Sequence, residues 1–145
     1  MKKSRKGSNK SSAKRTSRRK KLASKRKTLV KKLDTIVSQI VRTRDEYCVQ
    51  CGTPENLTCG HIFSRRSYST RWDLNNCFAQ CWSHNFQHSY DNYDYYKWYQ
   101  DKFGEDRFTE LRKQFKAPRR FTIIDLEELY ERMVEFKDLL ERSKQ

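Results

Sequence analysis

The sequence predicts a mainly helical α+β fold. A small cysteine- and histidine-rich module sits between helices, and a disordered basic arm precedes it. Three observations carry this reading. The first is charge segregation: residues 1–28 hold 14 of the 33 Lys/Arg and no acid, leaving 19 against 18 Asp/Glu in the rest of the 145-residue chain. The second is that all five cysteines (48, 51, 59, 77, 81) and all three histidines (61, 84, 88) fall within residues 47–90. The third is helical apolar periodicity on both sides of that segment.

Residues 1–27, MKKSRKGSNKSSAKRTSRRKKLASKRK, are dominated by Lys, Arg and Ser. They offer too little apolar surface to offset ordering entropy, so disorder is expected in isolation. A cationic arm, with Arg18, Arg19, Lys20 and Lys21 at its densest, attracts polyanions, and nucleic-acid phosphate fits best. Such contacts add affinity without reading sequence. No apolar signal region follows the arm and no run is long enough to span a membrane, so a reducing cytoplasmic setting with no membrane partner is expected.

The remainder, 28–145, is expected to be one domain. Leu29, Val30, Leu33, Ile36, Val37, Ile40 and Val41 recur at three-and-four spacing, which predicts an amphipathic helix over 28–44. Within 47–90, CGTPENLTCGHIF suggests a tight turn and a short strand, and a second strand is expected near 77–80. The helical part, 91–145, begins with five aromatics in seven positions (Tyr93, Tyr95, Tyr96, Trp98, Tyr99), a core stripe in a helix ended by Gly104. GEDRFTELRKQF forms a short helix broken at Pro118. Thr122 with Asp125 starts a last helix in the manner of a capping box.

Cys48-x-x-Cys51 and Cys81-x-x-His84 are two knuckles of the kind that wrap one tetrahedral zinc, since each tight turn aims two side chains at one point. An all-thiolate site of Cys48, Cys51, Cys77 and Cys81 is the competing assignment. Cys59 and Cys77 are spare buried thiols on the first. The stretch between the knuckles is longer than a simple zinc ribbon needs, and it carries His61, Asp73 and Asn76.

A strand presenting a histidine, a loop presenting an asparagine, and a second strand running into a helix that starts with a ligand make a zinc-stapled ββα-metal (HNH) arrangement. Phosphodiester hydrolysis there needs a base, a divalent metal and a group that orients the base. His61 is the expected base and Asn76 the residue that pins the loop and orients it. Asn85, after the last zinc ligand, offers an amide oxygen to Mg2+ or Mn2+. Arg65, Arg66 and Arg71 are candidate backbone clamps. The alternative is a non-catalytic zinc module that binds nucleic acid, which requires the zinc ligands but neither His61 nor Asn85.

The run CVQCGTPENLTCGHIFSRRSYSTRWDLNNCFAQCWSHN, with RRFTIIDLEELYERMVEFKDLLERS downstream, resembles the phage lambda NinG (Rap) recombination family over about residues 35–143, with the basic arm an addition. The resemblance implies an HNH endonuclease acting on branched DNA such as Holliday junctions. A homodimer, for which the C-terminal helix is the expected interface, would suit paired nicks. The family usually has Cys-x-x-Cys-Asn where this chain has Cys81-x-x-His84-Asn85, an exchange that keeps a zinc ligand. The knuckle followed by Asn is also similar to phage junction-resolving endonuclease VII, where that Asn binds the catalytic metal. Many HNH enzymes place Asp or His before the base. Here that position is Gly60, so either His61 is itself a ligand or another residue supplies one, with Asp73 and His88 the candidates.

Overall fold

A computed structural model describes the backbone of residues 9–145 and the side chains of residues 12–145. The elements are α1 (Asn9–Asp45), β1 (Leu57–His61), β2 (Cys77–Cys81), α2 (Trp82–His88), α3 (Tyr93–Phe103), α4 (Glu105–Lys116) and α5 (Ile123–Arg142).

The first helix corrects the expectation for the arm. It begins at Asn9 rather than Thr28 and runs 37 residues without a break. Residues 1–8 lie outside the described residues. The cause is local. No Gly or Pro interrupts 9–45, Lys, Arg, Ala and Leu are good helix formers, and the packed segment after Leu29 supplies the costly nucleus, so the arm needs only propagation. Every described side chain from Ser12 to Lys25 is exposed. The helix ends at Glu46, whose φ is 63° and whose N–H returns to the Arg42 carbonyl at 3.1 Å.

α5 packs along α1 in the same direction. Lys25 meets Glu127 at 2.6 Å, the Lys32 ammonium lies over the Tyr130 ring, and Lys144 pairs with Glu46. The expected capping box is present at Thr122 and Asp125. Leu33, Ile40, Val41, Ala79 and Leu126 are buried in the seam of α1, α5 and the sheet, joined by Trp72 and Phe121. A second core on the other side of the sheet gathers Ile62, Phe63, Phe78, Tyr95, Tyr99, Phe108 and Leu111. The aromatic stripe therefore packs inward at Tyr95 and Tyr99, while Tyr93 points outward.

The two strands are antiparallel with Leu57 opposite Cys81, Cys59 opposite Ala79 and His61 opposite Cys77. The outer edge of β2 is not left bare. The Asp45 carboxylate accepts from the Ala79 N–H at 2.8 Å, and the Val49 N–H donates to the Ala79 carbonyl at 2.9 Å. Arg44 donates to the Leu74 and Cys77 carbonyls. The end of α1 thus closes an edge that would otherwise be unpaired. α2 follows β2 without a loop, giving a strand–strand–helix unit that presents the site.

Candidate metal centre and adjoining cleft

The first knuckle is a turn in which the Gly52 N–H donates to the Cys48 carbonyl at 2.8 Å, with Gly52 at φ 74°. It docks on the hairpin through the Val49 bond to Ala79 and through Gln50, whose Oε1 accepts from Gln80 Nε2 at 2.6 Å. Cys81 ends β2 and His84 lies in the first turn of α2. The ligand atoms of Cys48, Cys51, Cys81 and His84 all lie within 4.8 Å of one another. Cys48 Sγ is 3.6 Å from His84 Nδ1, Cys51 Sγ is 3.9 Å from Cys81 Sγ, and Cys81 Sγ is 3.2 Å from His84 Nδ1.

Those separations match a tetrahedron. Zn–S bonds of about 2.3 Å and Zn–N bonds of about 2.0–2.1 Å imply edges of roughly 3.8 Å for S···S and 3.5 Å for S···N. Burial opposes ionisation of Cys48, but N–H groups of Cys81, Cys51 and Gln50 aimed at its sulfur bring the thiol down to about 7. The cluster therefore suits a structural metal such as zinc. The all-thiolate alternative does not fit. Cys77 sits at the opposite end of β2 from Cys81, about 13 Å away along an extended strand, and its neighbours are Cys59 and His61.

Beside this centre lies a cleft of about 750 Å³ whose lining includes His61, Arg65, Arg66, Asn85 and His88. His61 Nε2 is 2.9 Å from the Arg71 carbonyl. That bond requires the proton on Nε2, so the lone pair is on Nδ1. Desolvation lowers the His61 pKa and the Arg71 carbonyl only partly offsets it, which keeps the ring neutral near pH 7. Asn85 Nδ2 donates to Thr58 Oγ1 at 3.0 Å, and Thr58 Oγ1 donates to the Gln80 carbonyl at 2.8 Å. With its nitrogen committed to the sheet, Asn85 has its oxygen free to serve as an acceptor.

Asn76 is fully buried, and its side-chain hydrogen bonds go to the loop backbone and not to the His61 ring. Its Oδ1 accepts from the Phe63 N–H, and its Nδ2 donates to the Phe63 and Thr70 carbonyls, all at 2.8–3.0 Å. It pins both ends of the loop, and the carbonyl that engages His61 belongs to Arg71, the next residue. Arg71 is not a free clamp either. Its guanidinium grips Asp34 through two bonds of 2.9 and 2.7 Å, and Trp72 Nε1 donates to the same carboxylate. Asp34 was not anticipated. It sits on the wet side of the helical period, and only its loop partners reveal it.

Asp73 and His88 are engaged elsewhere. The Asp73 carboxylate accepts from the Asn75 N–H at 2.8 Å, a local turn, and Asp73 does not line the cleft. His88 Nε2 lies 2.9 Å from the His61 carbonyl and 3.2 Å from that of Ile62. Its Nδ1 is sealed from solvent with no partner, so His88 holds the end of β1 instead of offering a ligand to the cleft. Gly60 has its own reason. A Cβ there would stand 1.9 Å from Gln80 Oε1, so the buried Gln80 side chain fills the space where a residue before the base would project. Arg18, Arg19, Lys20 and Lys21 lie on the exposed part of α1.

A family model described as Bacteriophage Lambda NinG protein matches residues 1–143. The chain belongs to the NinG family. The match starts at residue 1, so the basic arm of this NinG chain is part of the family's span and not an addition to it. Comparison with the curated proteins and with the solved structures gave no match. No described helix of the NinG chain is long and apolar enough to cross a membrane.

Proposed function

We propose that this NinG protein is a metal-dependent HNH-type endonuclease that hydrolyses DNA phosphodiester bonds, acting on branched DNA in phage recombination. The observation that carries the reading is the pairing of two oriented donors in one cleft. His61 has its proton fixed on Nε2 by the Arg71 carbonyl, and Asn85 has its amide nitrogen fixed by Thr58. One is set up as a base, the other as an oxygen ligand.

In this mechanism His61 Nδ1 takes a proton from the attacking water. A neutral imidazole is the competent form, and its lowered pKa keeps it in that form. Asn85 Oδ1 would hold Mg2+ or Mn2+, and such an ion would supply charge stabilisation to the phosphate and leaving oxygen. Arg65 and Arg66, on the lip of the cleft, engage the phosphate backbone. The zinc cluster fixes the start of α2 against the hairpin and with it the spacing of Asn85 from His61. The basic arm of α1 adds sequence-independent affinity. Paired nicks across a junction call for two copies, and the exposed Phe136 and Leu139 of α5 are where the second would pack.

The test is nicking of supercoiled plasmid and of a four-way junction with Mg2+ or Mn2+. His61→Ala and Asn85→Ala should each abolish cleavage while the metal at Cys48, Cys51, Cys81 and His84 is retained. One observation favours the alternative, a zinc module that binds nucleic acid without cutting it: the lining of the cleft contains no carboxylate. DNA binding without cleavage under either ion establishes that alternative.

A further inference from the structure

All five cysteines of the chain fall into two clusters, and the proposed function uses one. The other is Cys59, His61 and Cys77, whose ligand atoms also lie within 4.8 Å of one another. We propose that these three residues form a second metal site, selective for a soft thiophilic ion such as Zn2+ or Cd2+, and that the ion it binds takes the imidazole of His61.

The strand register builds the site. Cys59 and His61 are two apart on β1 and so share a face, and Cys77 stands directly opposite His61. Directly opposed residues have Cβ atoms about 4.5–5.5 Å apart, which lets a thiolate and an imidazole converge on one ion. Cys59 and Cys77 are diagonal neighbours instead. Diagonal positions are about 7–8 Å apart, whereas a disulfide requires Cα atoms within about 6.8 Å. A metal with arms of roughly 2.3 Å closes that gap without moving the backbone, and a disulfide does not.

Two thiolates and one imidazole leave the fourth tetrahedral position to water. Cys77 is fully buried, but Cys59 and His61 line an open cavity of about 390 Å³ between the sheet and α1, which gives an ion its entry. The same cavity is lined by Arg42, Arg65 and Arg71 against the single acid Asp34. A dication held by two thiolates adds no net charge there. One held by neutral donors adds two positive charges beside three guanidiniums. Charge and ligand softness therefore select the same class of ion and exclude magnesium.

The consequence for catalysis rests on the proposed nuclease reading: zinc in this site removes the base. The site itself is tested without any cleavage assay. The full chain is stripped with chelator and titrated with Cd2+. Bound metal is counted, and ultraviolet thiolate-to-cadmium charge-transfer absorption reports the number of thiolates engaged. The expected result is two ions and five thiolates per chain. Cys59→Ala and His61→Ala should each lose the second ion and keep the first. Cys48→Ser should lose the first, and Cys59→Ala serves where Cys77→Ala does not fold. Saturation of the wild type at one ion with three thiolates overturns the proposal. So does a second ion that survives both Cys59→Ala and His61→Ala.

Discussion

Gly60 shows how one missing atom shapes the site. Any Cβ at this position collides with Gln80 Oε1 at 1.9 Å, and Gln80 is fully buried and bonded to Gln50 of the knuckle. Gly60→Ala should therefore cost about 1–3 kcal/mol in urea unfolding, as overpacking does. Adding Gln80→Ala should recover part of that loss, which a double-mutant cycle reads directly. Asn76→Ala removes three buried hydrogen bonds and strips the Phe63 N–H and carbonyl of their Asn76 partners, while the Thr70 carbonyl keeps the Asp73 N–H. A loss of about 3 kcal/mol or more is expected, because each orphaned buried group costs about 1–3 kcal/mol. Asp34 supplies a pH dependence. Burial works against its charge, but the bonds from Arg71 and Trp72 prevail and hold its pKa below the ordinary carboxylate value. A carboxyl with a depressed folded pKa contributes stability above its unfolded pKa, near 3.8, and loses it as pH falls through the folded value. Asp34→Asn should make the acid side of the stability profile shallower, measured as the denaturation midpoint against pH. An unchanged profile means that the Arg71 pair is electrostatically idle. At this scale the sequence was legible where residue type and spacing impose geometry, as in the four zinc-type ligands. It was silent where a side chain's role depends on a partner far along the chain, as for Asp34 with Arg71 or His88 with the His61 carbonyl.

Among the elements, the hairpin and α2 are held by the metal cluster and by the edge bonds from Asp45 and Val49. The apolar support of α2 is thin, since it buries no residue completely. Removal of metal by a strong chelator should loosen the knuckle and α2 first. Amide exchange should rise at Val49 and in α2 before it rises in β2 or at Ile40 and Leu126, which share a core that does not include the knuckle. Uniform loss of protection would show that the metal supports the whole fold. Element boundaries were readable where capping chemistry is local, at Thr122 and Gly104. The start of α1 was not, because low hydrophobicity signals disorder only for a segment that must nucleate its own helix. Here Leu29, Leu33 and Ile36 nucleate it from behind.

On the scale of the whole molecule, α1 and α5 form a parallel pair that carries the sheet and the second core on one flank. The buried Leu126 lies at the heart of that pair, and Leu126→Ala should cost about 2–5 kcal/mol. The basic end of α1 extends past α5. Lys25 and Arg26 are tied to Glu127 and to the Phe121 carbonyl, so a clean truncation removes residues 1–24 and no more. That truncation should reduce the slope of log affinity for DNA against log salt, because fewer counterions are released on binding. A slope unchanged by the truncation would assign the phosphate contacts to the cleft alone. The order of elements was legible from periodicity, but the parallel docking of the first and last helices was not. It depends on contacts between residues about a hundred positions apart.

The projecting stretch of α1, residues 9–24, is about 24 Å long at 1.5 Å per residue, with seven Lys and Arg and no acid. Such a rod is a polyelectrolyte that strains against itself, since like charges one turn apart repel. Added salt relieves that repulsion while it weakens attraction to a polyanion. Helicity and nucleic-acid affinity in this arm should therefore move in opposite directions with ionic strength. A duplex bound along the arm, as the proposed function has it, would do both tasks at once, neutralising the rod and holding it straight.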